Sequence, residues 1–197
     1  MIGNPHPRHS MPSFVYGFTL VELLITIAIV AILLGYGVPS LSGFIADQRV
    51  RTAVADIYHD LIFARADALG NTRQVIIEQR IANDWKEGWT ICVDNTPRNG
   101  QCDLPAEEIL KITQPLPGER LRVCTNVADF AQRIVFRPDG RIVRNTPVTD
   151  LDQITVSDDL GDGDTSNDKI RSIFFGASGR MTTMDQNGGA NGGAACP

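Results

Sequence analysis

The chain has 197 residues, 43% of them hydrophobic and 7% aromatic, and its 18 Lys and Arg against 23 Asp and Glu give a formal charge of −5. That balance excludes a molecule whose whole surface attracts nucleic acid and leaves only local basic patches to consider. The length suits one compact domain beside an N-terminal third that does not read as a globular core, and the 18 Gly and 11 Pro favour short strands and turns over a helical bundle.

Residues 1–17, MIGNPHPRHSMPSFVYG, form a short polar leader with His6, Arg8 and His9, three prolines and no acid. The run FTLVELLITIAIVAILLGYGV over 18–38 has the length of a helix of about 30 Å, enough to cross a bilayer. Its one charge is Glu22. An unpaired carboxylate at membrane depth costs several kcal/mol, so Glu22 lies near the interface, is neutralised, or is functional. An ordinary secretory signal would be cut after its apolar region, and the small residues of GYGVPSLSGF keep that reading open. Gly35, Gly37 and Pro39 weaken the helix there and predict a kink or a locally melted turn.

From Phe44 to Gly70 the pattern becomes amphipathic. Val50, Val54, Ile57, Tyr58, Leu61, Ile62 and Leu69 recur at steps of three and four and predict a face buried against a sheet. Asp47, Arg51, Arg65 and Asp67 mark the opposite face, and Gly70-Asn71 is the expected terminator. His59 reads as a half-buried or solvated histidine without a catalytic partner.

Beyond the helix, β-compatible runs are expected at Gln74 to Gln79, Trp89 to Val93, Ile109 to Ile112, Leu121 to Cys124, Ile134 to Phe136, Arg141 to Val143, Ile154 to Val156, Ile170 to Phe175 and Arg180 to Thr183. Pro138-Asp139-Gly140 and Ala177-Ser178-Gly179 are hairpin turns in this reading. An antiparallel sheet packed on the second half of the long helix covers the helix stripe and one sheet face together, which makes the fold class α+β. Four cysteines, Cys92, Cys102, Cys124 and Cys196, allow three pairings. Cys92 with Cys102 would close a local loop and Cys124 with Cys196 would tether the Gly-rich tail, as suits an oxidising periplasm.

Gly17-Phe18-Thr19-Leu20-Val21-Glu22 followed by the apolar run resembles the prepilin processing signature of type IV pilins and type II secretion pseudopilins. The resemblance implies that a prepilin peptidase cuts between Gly17 and Phe18 and methylates the Phe18 amine, and that Glu22 is the acid of the motif. In a filament interior with little water, the Phe18 amine of a neighbouring subunit would be a suitable partner for Glu22. Ala64-Arg65-Ala66-Asp67-Ala68, Gly88-Trp89, Cys92 and Val135-Phe136-Arg137-Pro138-Asp139-Gly140, in that order, resemble the GspH/FimT class of minor pilins and pseudopilins. This resemblance implies a leader at 1–17, a transmembrane or filament-core half of the helix at 18–43, an amphipathic half at 44–70 and a periplasmic β-rich head at 71–197.

Two further sites are candidates. Arg133, Arg137, Arg141 and Arg144, with Lys169, Arg171 and Arg180, could converge on phosphate, because some FimT-like subunits bind DNA through a motif beginning Gly-Arg. Here Gly179-Arg180-Met181-Thr182 has Thr182 in place of the second arginine. Asp162, Asp164 and Asp168 offer alternating oxygen ligands for calcium. The EF-hand pattern is incomplete: Asn167 stands where the sharp-turn glycine belongs and Ile173 where an acid belongs. No nucleophile and base, His/Cys metal cluster or phosphate loop is found, so an enzyme is not expected, nor any cofactor besides calcium.

The role expected is that of a minor pilin that helps initiate or stabilise a type IV pilus from the inner membrane, with other minor pilins or pseudopilins and the major filament subunit as partners. The alternatives are a type II secretion pseudopilin H, a DNA-uptake pilin and a signal-anchored periplasmic domain outside any filament.

Overall fold

The computed structural model describes residues 17–95, 98–103, 105–145, 152–159, 168–176, 178–185 and 196, without the side chains of 36–40. The chain divides into two units, 1–40 and 41–197. The element order is α1 (Leu20–Asn71), β1 (Gln74–Ile81), β2 (Asp84–Asp94), β3 (Ile109–Thr113), β4 (Leu121–Thr125), a 3-10 turn (Ala128–Phe130), β5 (Arg133–Phe136), β6 (Gln153–Asp158), β7 (Lys169–Phe175) and β8 (Met181–Asp185).

The expectation of a membrane-crossing segment is corrected. Among the described residues no helix is long and apolar enough to cross a membrane, which conflicts with a transmembrane half of α1 and with a single-pass inner-membrane placement. The helix is also assigned without interruption through Gly35, Gly37 and Pro39, so no turn melts there.

In the second unit α1 buries a stripe of Ala46, Val50, Ala53, Val54, Ile57, Leu61, Ala64 and Ala68. Ile62 and Leu69, expected on that face, are exposed, and Tyr58 only flanks the core. The difference is one of size: alanines let the helix backbone approach the sheets closely, and the apolar count alone does not show which residues those are. The helix ends as its composition suggests, at Asn71. Thr72 takes a positive φ of 51° and the Arg73 amide donates to the Ala68 carbonyl at 3.2 Å, closing the last turn.

The head holds two antiparallel four-stranded sheets, ordered β3-β2-β1-β5 and β4-β6-β7-β8, where the sequence suggested one. The inner faces meet α1 in one core containing Trp89, Phe130, Phe136, Leu121, Ile154 and Phe175. Eight of the nine expected strands form, and at the remaining one, Arg141 to Val143, only Ile142 bridges to Phe136. Both expected turns are present. The Gly140 amide donates to the Arg137 carbonyl at 2.8 Å, and the Gly179 amide to the Gly176 carbonyl at 2.9 Å.

Disulfides join Cys92 to Cys102 and Cys124 to Cys196. The first lies over the outer face of the first sheet, where Ile76, Cys92 and Val135 make a second small core. The second attaches position 196 to an edge strand of the other sheet, where the Cys196 amide donates to the Ser157 hydroxyl at 3.4 Å.

One acid is built into the helix–sheet contact. Asp60, 3% exposed, accepts from the Trp89 indole at 2.9 Å, the Lys111 ammonium at 2.5 Å and the Thr113 hydroxyl at 2.6 Å. These three donors compensate the carboxylate for lost water and tie β2 and β3 to α1.

Candidate functional site

The N-terminal site begins with its helix start. The Glu22 amide donates to the Thr19 hydroxyl at 3.2 Å and the Leu23 amide to the Thr19 carbonyl at 3.1 Å, so Thr19 is the N-cap. The signal, Thr-x-x-Glu just before an apolar run, is that of a capping box and is legible in the sequence. Glu22 is therefore in the first helical turn, where its charge suits the positive end of the helix dipole. Phe18 is 80% exposed, and Leu20, Leu24, Ile29, Val30 and Leu33 are each more than half exposed. The site combines a capped helix start, one carboxylate and a continuous apolar surface.

The arginines expected to converge on phosphate do not all do so. Arg133 donates to the Gly100 carbonyl at 2.9 Å and faces Glu78 at 3.3 Å. Arg144 is buried between Asp129 and Asp152, with its guanidinium 5.2 Å from the Phe130 ring centre. Arg171 is held by Asp47 and Asp185. These three are structural. Arg137, Arg141 and Arg180 are exposed and sit on the two turns described above.

Those turns are stitched together by a residue the sequence placed on the outer helix face. Arg65 donates to the Gly140 carbonyl at 3.0 Å and to the Ser178 carbonyl at 3.1 Å. Gly140 and Gly179 have φ of 75° and 76°, and a Cβ on Gly179 would overlap the Gly140 carbonyl oxygen. Only glycine permits so close an approach. Asp47 and Asp67 likewise serve the fold. Burial pushes the Asp47 carboxyl up, but the hydrogen bond and charge of Arg51 and the charge of Arg171 outweigh it and hold it below the usual value. The hydrogen bond from Arg73 holds Asp67 down against burial, and Arg73 is raised in turn.

Of the calcium candidates, Asp162 and Asp164 lie outside the described residues, while Asp168 is buried at the start of β7. No group of three or more metal-ligating side chains occurs among the described residues. His59 is exposed, with its ring 6.4 Å from that of Tyr58.

Residues 53–166 match the family described as Type II transport protein GspH, and 14–37 match the prokaryotic N-terminal methylation motif. Comparison with curated proteins gives no match. Among solved structures, the type IV minor pilin FimU of Pseudomonas aeruginosa (strain PAO1) is 18% identical, with 72% of this chain and 95% of that one covered and a TM-score of 0.51. A second crystal form of FimU gives 18%, 70%, 98% and 0.48. The minor pseudopilin EpsH from the Type 2 Secretion System of Vibrio cholerae gives 10%, 70%, 97% and 0.46. The first of these likenesses shows a shared fold. With an α+β head, an N-terminal methylation motif and a family match over more than half its length, the chain belongs to the GspH family of type II transport proteins.

Proposed function

We propose that the chain is a minor subunit of a pilin-type filament and that its favoured setting is a type II secretion pseudopilus. The observation that carries this reading is the match of 53–166 to a family described by type II transport. The exposed aliphatic side chains from Leu20 to Leu34 support it, since a continuous apolar surface of that extent requires neighbours to cover it. In this reading helices of adjacent subunits supply the cover, and the partners are other pseudopilins and the major subunit. A prepilin peptidase cuts between Gly17 and Phe18 and methylates the new amine, and Glu22 meets the N-terminal amine of a neighbour.

The pilus setting favoured from the sequence becomes the second reading. It keeps one observation in its favour, the fold likeness to the minor pilin FimU. Cross-linking in producing cells, followed by mass spectrometry of the mature N-terminus and the linked neighbours, separates the two. Secretion pseudopilins linked to a chain that begins at methylated Phe18 are expected. Pilus subunits in their place would move the chain to the second reading, and a chain that kept residues 1–17 and had no filament neighbour would sink both.

A further inference from the structure

We infer that the paired turns around Gly140 and Gly179 form a docking site for a carboxylate-rich protein surface, with Arg137, Arg141 and Arg180 as its contact groups. Geometry brings the three together. Arg137 and Arg141 face each other across one turn, the Arg137 amide donating to the Arg141 carbonyl at 2.8 Å, and Arg180 follows Gly179, which is packed against Gly140. Arg65 anchors both turns from α1, so the tip is rigid before any partner arrives. A preorganised site loses less freedom on binding than arginines on separate loops would.

The charge at this tip is not consumed by the fold. Arg51, Arg73, Lys111, Arg133, Arg144 and Arg171 each face a carboxylate. Arg137, Arg141 and Arg180 have none among the described residues. The tip's one acid, Asp139, accepts the Arg141 amide at 3.0 Å and so shapes the turn.

The chemistry favours carboxylates over nucleic acid. Beside the turns Phe136 and Phe175 are fully buried and Phe174 is half-buried, so no fully open aromatic face is offered there for base stacking. Three guanidinium groups on a chain of net charge −5 fall short of the roughly six to ten phosphate contacts that hold a duplex at moderate salt. A protein patch with two or three acids matches them in number, and each guanidinium can grip a carboxylate with two parallel hydrogen bonds.

The test uses the full chain in detergent at low salt, with a fluorescent decaglutamate peptide and a duplex oligonucleotide of equal charge as probes. The peptide should bind, the duplex should bind more weakly, and R137Q/R141Q/R180Q should weaken peptide binding about tenfold. R98Q, an exposed arginine outside the tip, should leave it unchanged. An unaltered melting temperature for the triple variant would show that folding is not the cause. Absence of peptide binding, tighter binding of the duplex, or an equal loss in R98Q would each overturn the inference.

Discussion

Both halves of α1 are rich in aliphatic residues, and the structure uses them in opposite ways. In 20–35 the large side chains are turned outward, with Leu24 at 53% and Val30 at 51% exposure, whereas in the second unit half of the buried stripe is alanine. The acids differ in the same sense. Glu22 sits exposed in the capped first turn, and Asp60 lies in the core under three donors. Hydrophobicity therefore does not mark what the head buries. Small size, with polar groups that find partners, marks the half that belongs to the head, and bulk without cover marks the other.

The contrast makes quantitative demands on the head's own stability, and the largest concern its covalent ties. The Cys124–Cys196 bond closes a separation of 72 residues and Cys92–Cys102 one of 10. Chain-closure entropy predicts losses of about 4 kcal/mol for C124A/C196A and about 3 for C92A/C102A in urea melts. The reverse order would mean that packing around Ile76 and Val135 outweighs chain closure. Next comes Asp60. D60A leaves the buried Trp89 indole without its acceptor and should cost about 3 kcal/mol, while D60N, which keeps an acceptor oxygen, should cost about 1. Equal losses would show that the donors require the negative charge and that an acceptor oxygen alone does not replace it.

Paired changes along the helix probe its two halves directly. Ala64, with no exposed surface, faces the core, and Ala64→Leu should overpack it at about 2 kcal/mol. Leu24→Ala in the other half should move the head's melt by less than about 0.5 kcal/mol while reducing recovery in assembled filaments. A head destabilised by Leu24→Ala would erase the division between the two halves.

Much of this arrangement is legible in the residues. The long helix, its terminator, eight strands and both turns follow from local periodicity and turn chemistry, which are short-range properties. The split into two sheets is not, because it depends on which strands pair across long separations. Periodicity places Leu69 and Ile62 in the core because it weighs hydrophobicity alone, when burial is decided by the space between helix and sheet. The five candidate arginines look alike in sequence. Arg144 and Arg133 are taken by Asp152 and Glu78, acids that stand 8 and 55 positions away, so their loss to the fold is not visible locally. Arg65 shows the converse, as a residue assigned to the outer face that holds two turns in place.

The smallest effect expected is the one acid titration can isolate. Asp47 and Asp67 lie on the flank of α1 in the second unit, and arginines hold both carboxyls below the usual aspartate value. A carboxylate whose folded pKa lies below its unfolded value contributes stability that is complete above the unfolded pKa and disappears as pH falls through the folded one. The two together should thus steepen the loss of stability below about pH 4, and have no effect on its slope near neutrality. D47N/D67N should give a shallower acid limb than the wild type, with the difference between the two proteins constant above about pH 5 and shrinking below about pH 4. A difference that stayed constant down to about pH 2 would mean that Arg51, Arg171 and Arg73 support these residues by packing and not by charge.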